Sequence, residues 1–157
     1  MHMKRLTLVV IAVVAAVVIG IAMPVLWHED RNAYERELVQ HFANALSGDG
    51  VRAVCDGVTT RLSVGNTERL RPVLCRTERE FVSHEREYTG DCVEIYVDDE
   101  MTLIVEAPDP AADLVYIYYT CGAKQRTVAI EGYRTMYWVK EIVAPHGLYG
   151  ENTVENP

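Results

Sequence analysis

The feature that most constrains this chain is an uncharged run from Leu6 to Trp27, in which only Thr7 is clearly polar. At a rise of about 1.5 Å per residue, such a run makes a helix of roughly 33 Å, enough to cross the hydrocarbon core of a bilayer. A helix satisfies its own backbone polar groups, so a continuous span is stable in lipid. Lys4 and Arg5 precede the run and His28-Glu29-Asp30 follow it. Basic residues favour the cytoplasmic side. The expected topology is a single pass, with the amino terminus in the cytoplasm and everything after Trp27 outside. Gly20-Ile21-Ala22 also offers small residues for a signal peptidase, and cleavage near Ala22 would give a secreted domain. The run continues past Ala22, which favours the anchor. The expected organisation is a basic start at residues 1–5, an anchor or signal segment at 6–27, an extracytoplasmic domain at 28–144 and a flexible tail at 145–157.

Charge is divided in the same way. The chain has 15 Lys+Arg and 23 Asp+Glu, a formal charge of −8. Lys4 and Arg5 lie before the run and no acid does, so 13 bases stand against 23 acids beyond it, a net −10. Such a domain does not bind nucleic acid through positive charge. It disfavours anionic lipid and leaves room for a basic protein partner.

The first half of the domain has helical spacing. Ala33, Tyr34, Leu38, Phe42, Ala45 and Leu46 form a stripe that predicts a helix over His28–Ser47. Gly48-Asp49-Gly50 ends it. A short helix over Val51–Gly57, a loop over Thr59–Thr67 and a helix from Arg71 to Tyr88 with Pro72 in its first turn are expected next. The second half alternates with period two and is rich in β-branched and aromatic residues. It predicts strands over Cys92–Val97, Met101–Glu106, Leu114–Cys121, Gln125–Ile130 and Tyr133–Val143, joined by short turns. The expected fold class is α+β: two to three helices packed on a curved antiparallel sheet of about five strands.

All four cysteines, Cys55, Cys75, Cys92 and Cys121, fall in the part expected outside the membrane. There an even count reads as a disulfide framework with three possible pairings. Cys55–Cys75 and Cys92–Cys121 are favoured, because each pair falls in one kind of expected element. No two cysteines have zinc-ligand spacing, and no metal or cofactor is expected.

Two stretches, Phe42-Ala-Asn-Ala-Leu-Ser-Gly-Asp-Gly-Val-Arg-Ala-Val-Cys55 and Leu70-Arg-Pro-Val-Leu-Cys75, resemble small exported NTF2-like (cystatin-like cone) domains of actinobacteria. Gly132-Tyr-Arg-Thr-Met-Tyr-Trp-Val-Lys140 is similar to their last strand. The resemblance covers residues 30 to 143. It implies a first cysteine after the opening helix, its partner in the next helix, and helices covering a cone-shaped sheet. A membrane helix ahead of such a domain also resembles accessory subunits of secretion and conjugation machines.

The residues name no reaction. His84-Glu85 begins like a zinc-protease helix, but Tyr88 stands where the second ligand belongs. Asp98-Asp99-Glu100 reads as a solvated turn and does not fit an EF-hand. His84, Asp91 and Glu94 are the only candidates for an acid–base group. Nine tyrosines stand against two phenylalanines. Tyr96, Tyr116 and Tyr118, with Trp138, are the candidate binding residues, because such rings bury an apolar body and keep a polar tip wet. Tyr116 and Tyr118 should share a face opposite Val115, Ile117 and Tyr119. The function expected is a non-enzymatic binding or accessory domain, by protein contact or by holding a small ligand. The alternative is an enzyme with an acid/His pocket on the same fold.

Overall fold

The computed structural model describes residues 33–75, 79–82, 91–108, 111, 113–132 and 134–155, with 79–82 as backbone. The expected span at 6–27 lies outside them. Among the described residues no helix is long and apolar enough to cross a membrane. The chain divides into two units, residues 1–36 and 37–157, and the second carries the sheet.

The fold is α+β. The helices are α1 (33–47), α2 (Val64–Leu74) and α3 (Arg134–Val143). The strands are β1 (Arg52–Cys55), β2 (Val58–Arg61), β3 (Arg79–Val82), β4 (Asp91–Tyr96), β5 (Met101–Ala107), β6 (Leu114–Cys121), β7 (Lys124–Glu131) and β8 (Thr153–Glu155). They form one antiparallel sheet in the order β3-β7-β6-β5-β4-β1-β2-β8. That is eight strands where about five were expected.

Strands β4 to β7 form the meander that the alternation predicts. Register puts Ile95, Leu103 and Tyr119 in one row and Val93, Val105, Ile117 and Val128 in the next. All seven are buried. Successive side chains point to opposite faces, so this face is the core face along all four strands. Leu38, Phe42 and Ala45 of α1, Leu70 and Leu74 of α2, and Met136, Val139 and Ile142 of α3 complete the core. Thr60 on the core-face row donates to the Val143 carbonyl at 2.8 Å, and Tyr119 donates to Glu37 at 2.7 Å. These bonds tie α3 and α1 to the same face.

Four expectations are corrected. Residues 51–57 make no helix: Asp56 (φ 50°) and Gly57 (φ 79°) form a two-residue hairpin turn between β1 and β2. Asp-Gly with both φ positive matches the right-handed twist of paired strands. The next helix starts earlier than expected. Ser63 (φ −63°, ψ 159°) caps it, its hydroxyl accepting from the Asn66 N–H at 3.3 Å, which places Pro72 inside α2. Pro72 is exposed, so water can reach the Glu68 carbonyl that it cannot serve. The helix ends at Leu74, and β3 follows within the stretch expected to stay helical to Tyr88. Residues 134–143 are α3, not a fifth strand. Thr135, Met136, Val139, Ile142 and Val143 are buried there, which is helical spacing.

The segment from Pro145, expected as a flexible tail, joins the sheet through β8 on β2. Asn152 holds it. Its amide nitrogen donates to the Ile142 carbonyl at 2.8 Å and the Ala144 carbonyl at 2.7 Å. Its oxygen accepts from the Ser63 N–H and from Asn66 Nδ2, both at 2.9 Å. One element placement implied by the NTF2-like resemblance is not met either: the stretch likened to a last strand lies in α3 from Arg134 on.

Candidate functional site

The structure separates the residues singled out in the sequence. Tyr96, Tyr116 and Tyr118 do share one face, the one opposite the core. The Tyr116 and Tyr118 rings lie 6.4 Å apart. All three are half-buried, and Glu106 is fully buried in the same layer, beside Tyr116 in register. Tyr96 donates to Glu94 Oε2 at 2.7 Å, and that bond, with burial behind it, raises the phenol above its ordinary value. Trp138 stands elsewhere, on α3, whose buried side packs toward the core face.

Of the candidate acid–base residues, Asp91 and Glu94 do not converge. Asp91 and Glu94 are three residues apart on β4, so they point to opposite faces. Asp91 pairs with Lys140 of α3 at 3.2 Å, while Glu94 accepts from Tyr96. His84 lies outside the described residues.

No two of the four cysteines lie at disulfide distance in the structure, so neither Cys55–Cys75 nor Cys92–Cys121 is bonded there. Register gives the reason for Cys92 and Cys121. Cys92 stands opposite Glu106, and Glu106 opposite Tyr116. Cys121 is thus about 17 Å further along the strand direction at 3.4 Å per residue, and on the other face. A disulfide needs Cα atoms within about 7 Å. Cys55 ends β1, where its thiol donates to Asp56 at 3.6 Å; burial and that carboxylate push it up to about 11.

The cysteine, histidine and acid that do converge come from three distant parts of the chain. Cys121 closes β6 on the core-face row, opposite Met101. His41 sits on α1 one residue before the buried Phe42. Asp98 opens the turn between β4 and β5. Asp98 Oδ1 accepts the backbone N–H groups of Met101 at 2.8 Å and Glu100 at 3.0 Å, which fixes the carboxylate. Its Oδ2 lies 2.5 Å from His41 Nδ1, and His41 Nε2 lies 3.3 Å from Cys121 Sγ. Burial raises the Asp98 carboxyl, but the His41 bond and the two backbone N–H groups outweigh it and hold it below its ordinary value. An ionised Asp98 only accepts, so Nδ1 carries the proton and donates. In the neutral ring Nε2 then presents its lone pair to the Cys121 S–H. Beside this chain Glu37 bonds Lys124 and Tyr119. Burial, then Glu37, raises the Cys121 thiol, against Lys124. By sequence alone Cys121 reads as a disulfide partner of Cys92. The available signal was parity: Cys121 is the last core-face residue before a Gly turn.

A second exposed feature lies on α3. Tyr137 and Trp138 are 55% and 41% exposed, and their rings meet edge to face at 5.7 Å between centroids. Elsewhere a cleft of about 300 Å³ lies between the end of α1 and the β4–β5 turn, lined by Gly50, Arg52, Arg61, Tyr96, Asp98 and Asp99 among others. Arg61 there is held by Glu155 at 2.8 Å and by the Asp49 carbonyl at 3.0 Å. Among the described residues no group of three or more His, Cys, Asp or Glu could hold a metal ion.

No family model, no curated protein and no solved structure matches this chain.

Proposed function

We propose that this chain is a membrane-anchored, extracytoplasmic binding or accessory domain that works by protein contact through the outer side of α3. The observation that carries the reading is the exposed Tyr137–Trp138 pair. Trp and Tyr dominate the energetic centres of protein interfaces, because they bring large rigid area at little entropic cost. Holding two such rings in water on a ten-residue helix leaves apolar area unburied, which a partner can cover. The net −10 beyond the apolar run favours a partner with basic groups around its contact. The anchor at 6–27 keeps the domain at the outer membrane face in this reading.

A photo-crosslinking amino acid at position 138, in the full chain in intact cells, tests this. Position Glu68, on the exposed side of α2, serves as control. One discrete adduct is expected at 138 and none at 68. Tyr137→Ala should weaken the contact by about 30-fold or more if the ring sits at the energetic centre. Identical adduct patterns at 138 and 68, or none at either, would refute the contact. Sequencing the mature amino terminus separates anchor from signal, since a start at Met23 excludes the anchor.

A further inference from the structure

We propose that Cys121 is a base-assisted thiol that exchanges with small neutral or cationic disulfides, with His41 as its proton acceptor and Asp98 as the residue that positions His41. The juxtaposition is built from three directions. α1 brings His41, the β4–β5 turn brings Asp98, and the end of β6 brings Cys121. Asp98 is itself fixed by two backbone N–H groups, so the imidazole cannot turn without breaking a chain of bonds. Its Nε2 is aimed at the sulfur at 3.3 Å.

The exchange balances without a net oxidant. The Cys121 sulfur attacks one sulfur of the small disulfide while His41 Nε2 takes the thiol proton. A new S–S bond forms at Cys121 and the original S–S bond breaks. The departing thiolate takes the proton back from His41. One disulfide replaces another, and one thiol replaces another. Acyl transfer at the same sulfur is disfavoured. It needs N–H donors aimed at a developing oxyanion, and the N–H of the next residue, Gly122, already donates to the Glu100 carbonyl at 3.0 Å.

The surroundings select by charge. Glu37, Asp98 and Glu100 act on Cys121 as negative charges, against the single ammonium of Lys124. A cationic disulfide is drawn to that setting and an anionic one is repelled. This exchange is stoichiometric, so it stands beside the protein-contact reading and does not depend on it.

The full chain in detergent, reduced and desalted, is treated with cystamine or with oxidised glutathione. It is then quenched in acid, and each cysteine peptide is quantified by mass. Cys55 in the same chain is the reference, since its thiol bonds a carboxylate and is pushed up to about 11. A thiol that reacts only as its own thiolate slows about tenfold per pH unit below its pKa. From about pH 9 to 7, Cys55 should therefore slow about 100-fold. Cys121 should slow less than about tenfold, because His41 supplies the base. Of the other groups facing the sulfur, Glu37 and Asp98 are held below their ordinary values and Lys124 and Tyr119 above theirs, so none of these four titrates in that window. Cystamine should outpace oxidised glutathione at Cys121, and added salt should narrow the gap. His41→Gln should bring the Cys121 rate and its pH slope to those of Cys55, with the Cys55 rate unchanged as the sign of an intact fold. A Cys121 rate that falls in step with Cys55 in the unaltered chain overturns the proposal, whatever the variant does. So does a Cys121 rate untouched by His41→Gln. A preference for oxidised glutathione overturns the assigned substrate charge.

Discussion

Asn152→Ala should cost this domain about 3–5 kcal/mol, a large fraction of the stability of an ordinary small domain. The side-chain amide of Asn152 has two N–H donors and two acceptor positions, and all four are used. The bonds to the Ile142 carbonyl and to Asn66 Nδ2 are buried, and those to the Ala144 carbonyl and the Ser63 N–H are partly so. Alanine leaves the buried Ile142 carbonyl and one of the two buried Asn66 side-chain N–H donors unpaired, at roughly 1–1.5 kcal/mol each, the low end of such costs because Asn66 Nδ2 keeps its bond to the Gly150 carbonyl. The two partly buried groups can turn to water, for about 0.5–1 kcal/mol each. Asn66 is 0% exposed and is held only by this neighbourhood, donating also to the Gly150 carbonyl and accepting from the Tyr149 N–H. Its own bonds should therefore loosen as well. In a domain of this size, about 3–5 kcal/mol lowers Tm by roughly 10–20 °C. Thermal and urea unfolding of the full chain, followed by circular dichroism, measure it. Asn152→Asp keeps the shape but turns an oxygen toward two carbonyls, so near neutral pH it should be no better than alanine. A Tm loss below about 3 °C for both variants would mean that the carboxy-terminal segment is not held by this amide.

Two more outcomes rest on the geometry. Gly147 has a φ of 52° and a Cβ there would overlap the Gly150 carbonyl and Asn66 Nδ2, whereas Gly122, at φ 56°, faces open space. Gly122→Ala should cost only the backbone strain of about 1 kcal/mol and Gly147→Ala clearly more; equal midpoints in urea would contradict this. Asp98, held below its ordinary value in the folded state, contributes stability that is fully present above its unfolded value, about 4, and is lost as pH falls through the lower folded value. Wild type and Asp98→Asn should therefore converge on acidification, and a gap constant from pH 7 down to about 2 would refute the link.

The meander was legible because one face of β4 to β7 is buried and the other half-exposed, so the period of two is written in Val93, Ile95, Leu103, Val105, Ile117 and Val128. Composition misled at α3. Tyr137, Trp138 and Val139 look strand-like, but the spacing of Thr135, Met136, Val139, Ile142 and Val143 is helical, and period outranks propensity when the two conflict. The Asp56-Gly57 turn was also readable, as a dipeptide whose two positive φ values suit a hairpin. β8 was not, because three residues on an edge bury too little to leave a pattern. The His41–Asp98–Cys121 chain could not be read locally. His41 and Asp98 are separated by 57 positions, His41 and Cys121 by 80, and only folding brings them together. Cys121 on the core-face row and Asp98 at the head of a turn were visible singly, and nothing in their spacing joined them.

The place of β8 has a consequence for the order in which the chain can become whole. Its ion pair from Arg61 to Glu155 spans 94 positions, and β2 has no other strand on that side among the described residues. During synthesis β1, β2 and α2 emerge early, yet the outer edge of β2 stays bare until nearly the last described residue arrives. A bare edge offers unpaired N–H and C=O groups to any passing strand. Strand β8 therefore acts as a closing seal. A chain truncated before Thr153 would hold the complete meander and still carry a sticky margin, so such a truncation should show first as aggregation.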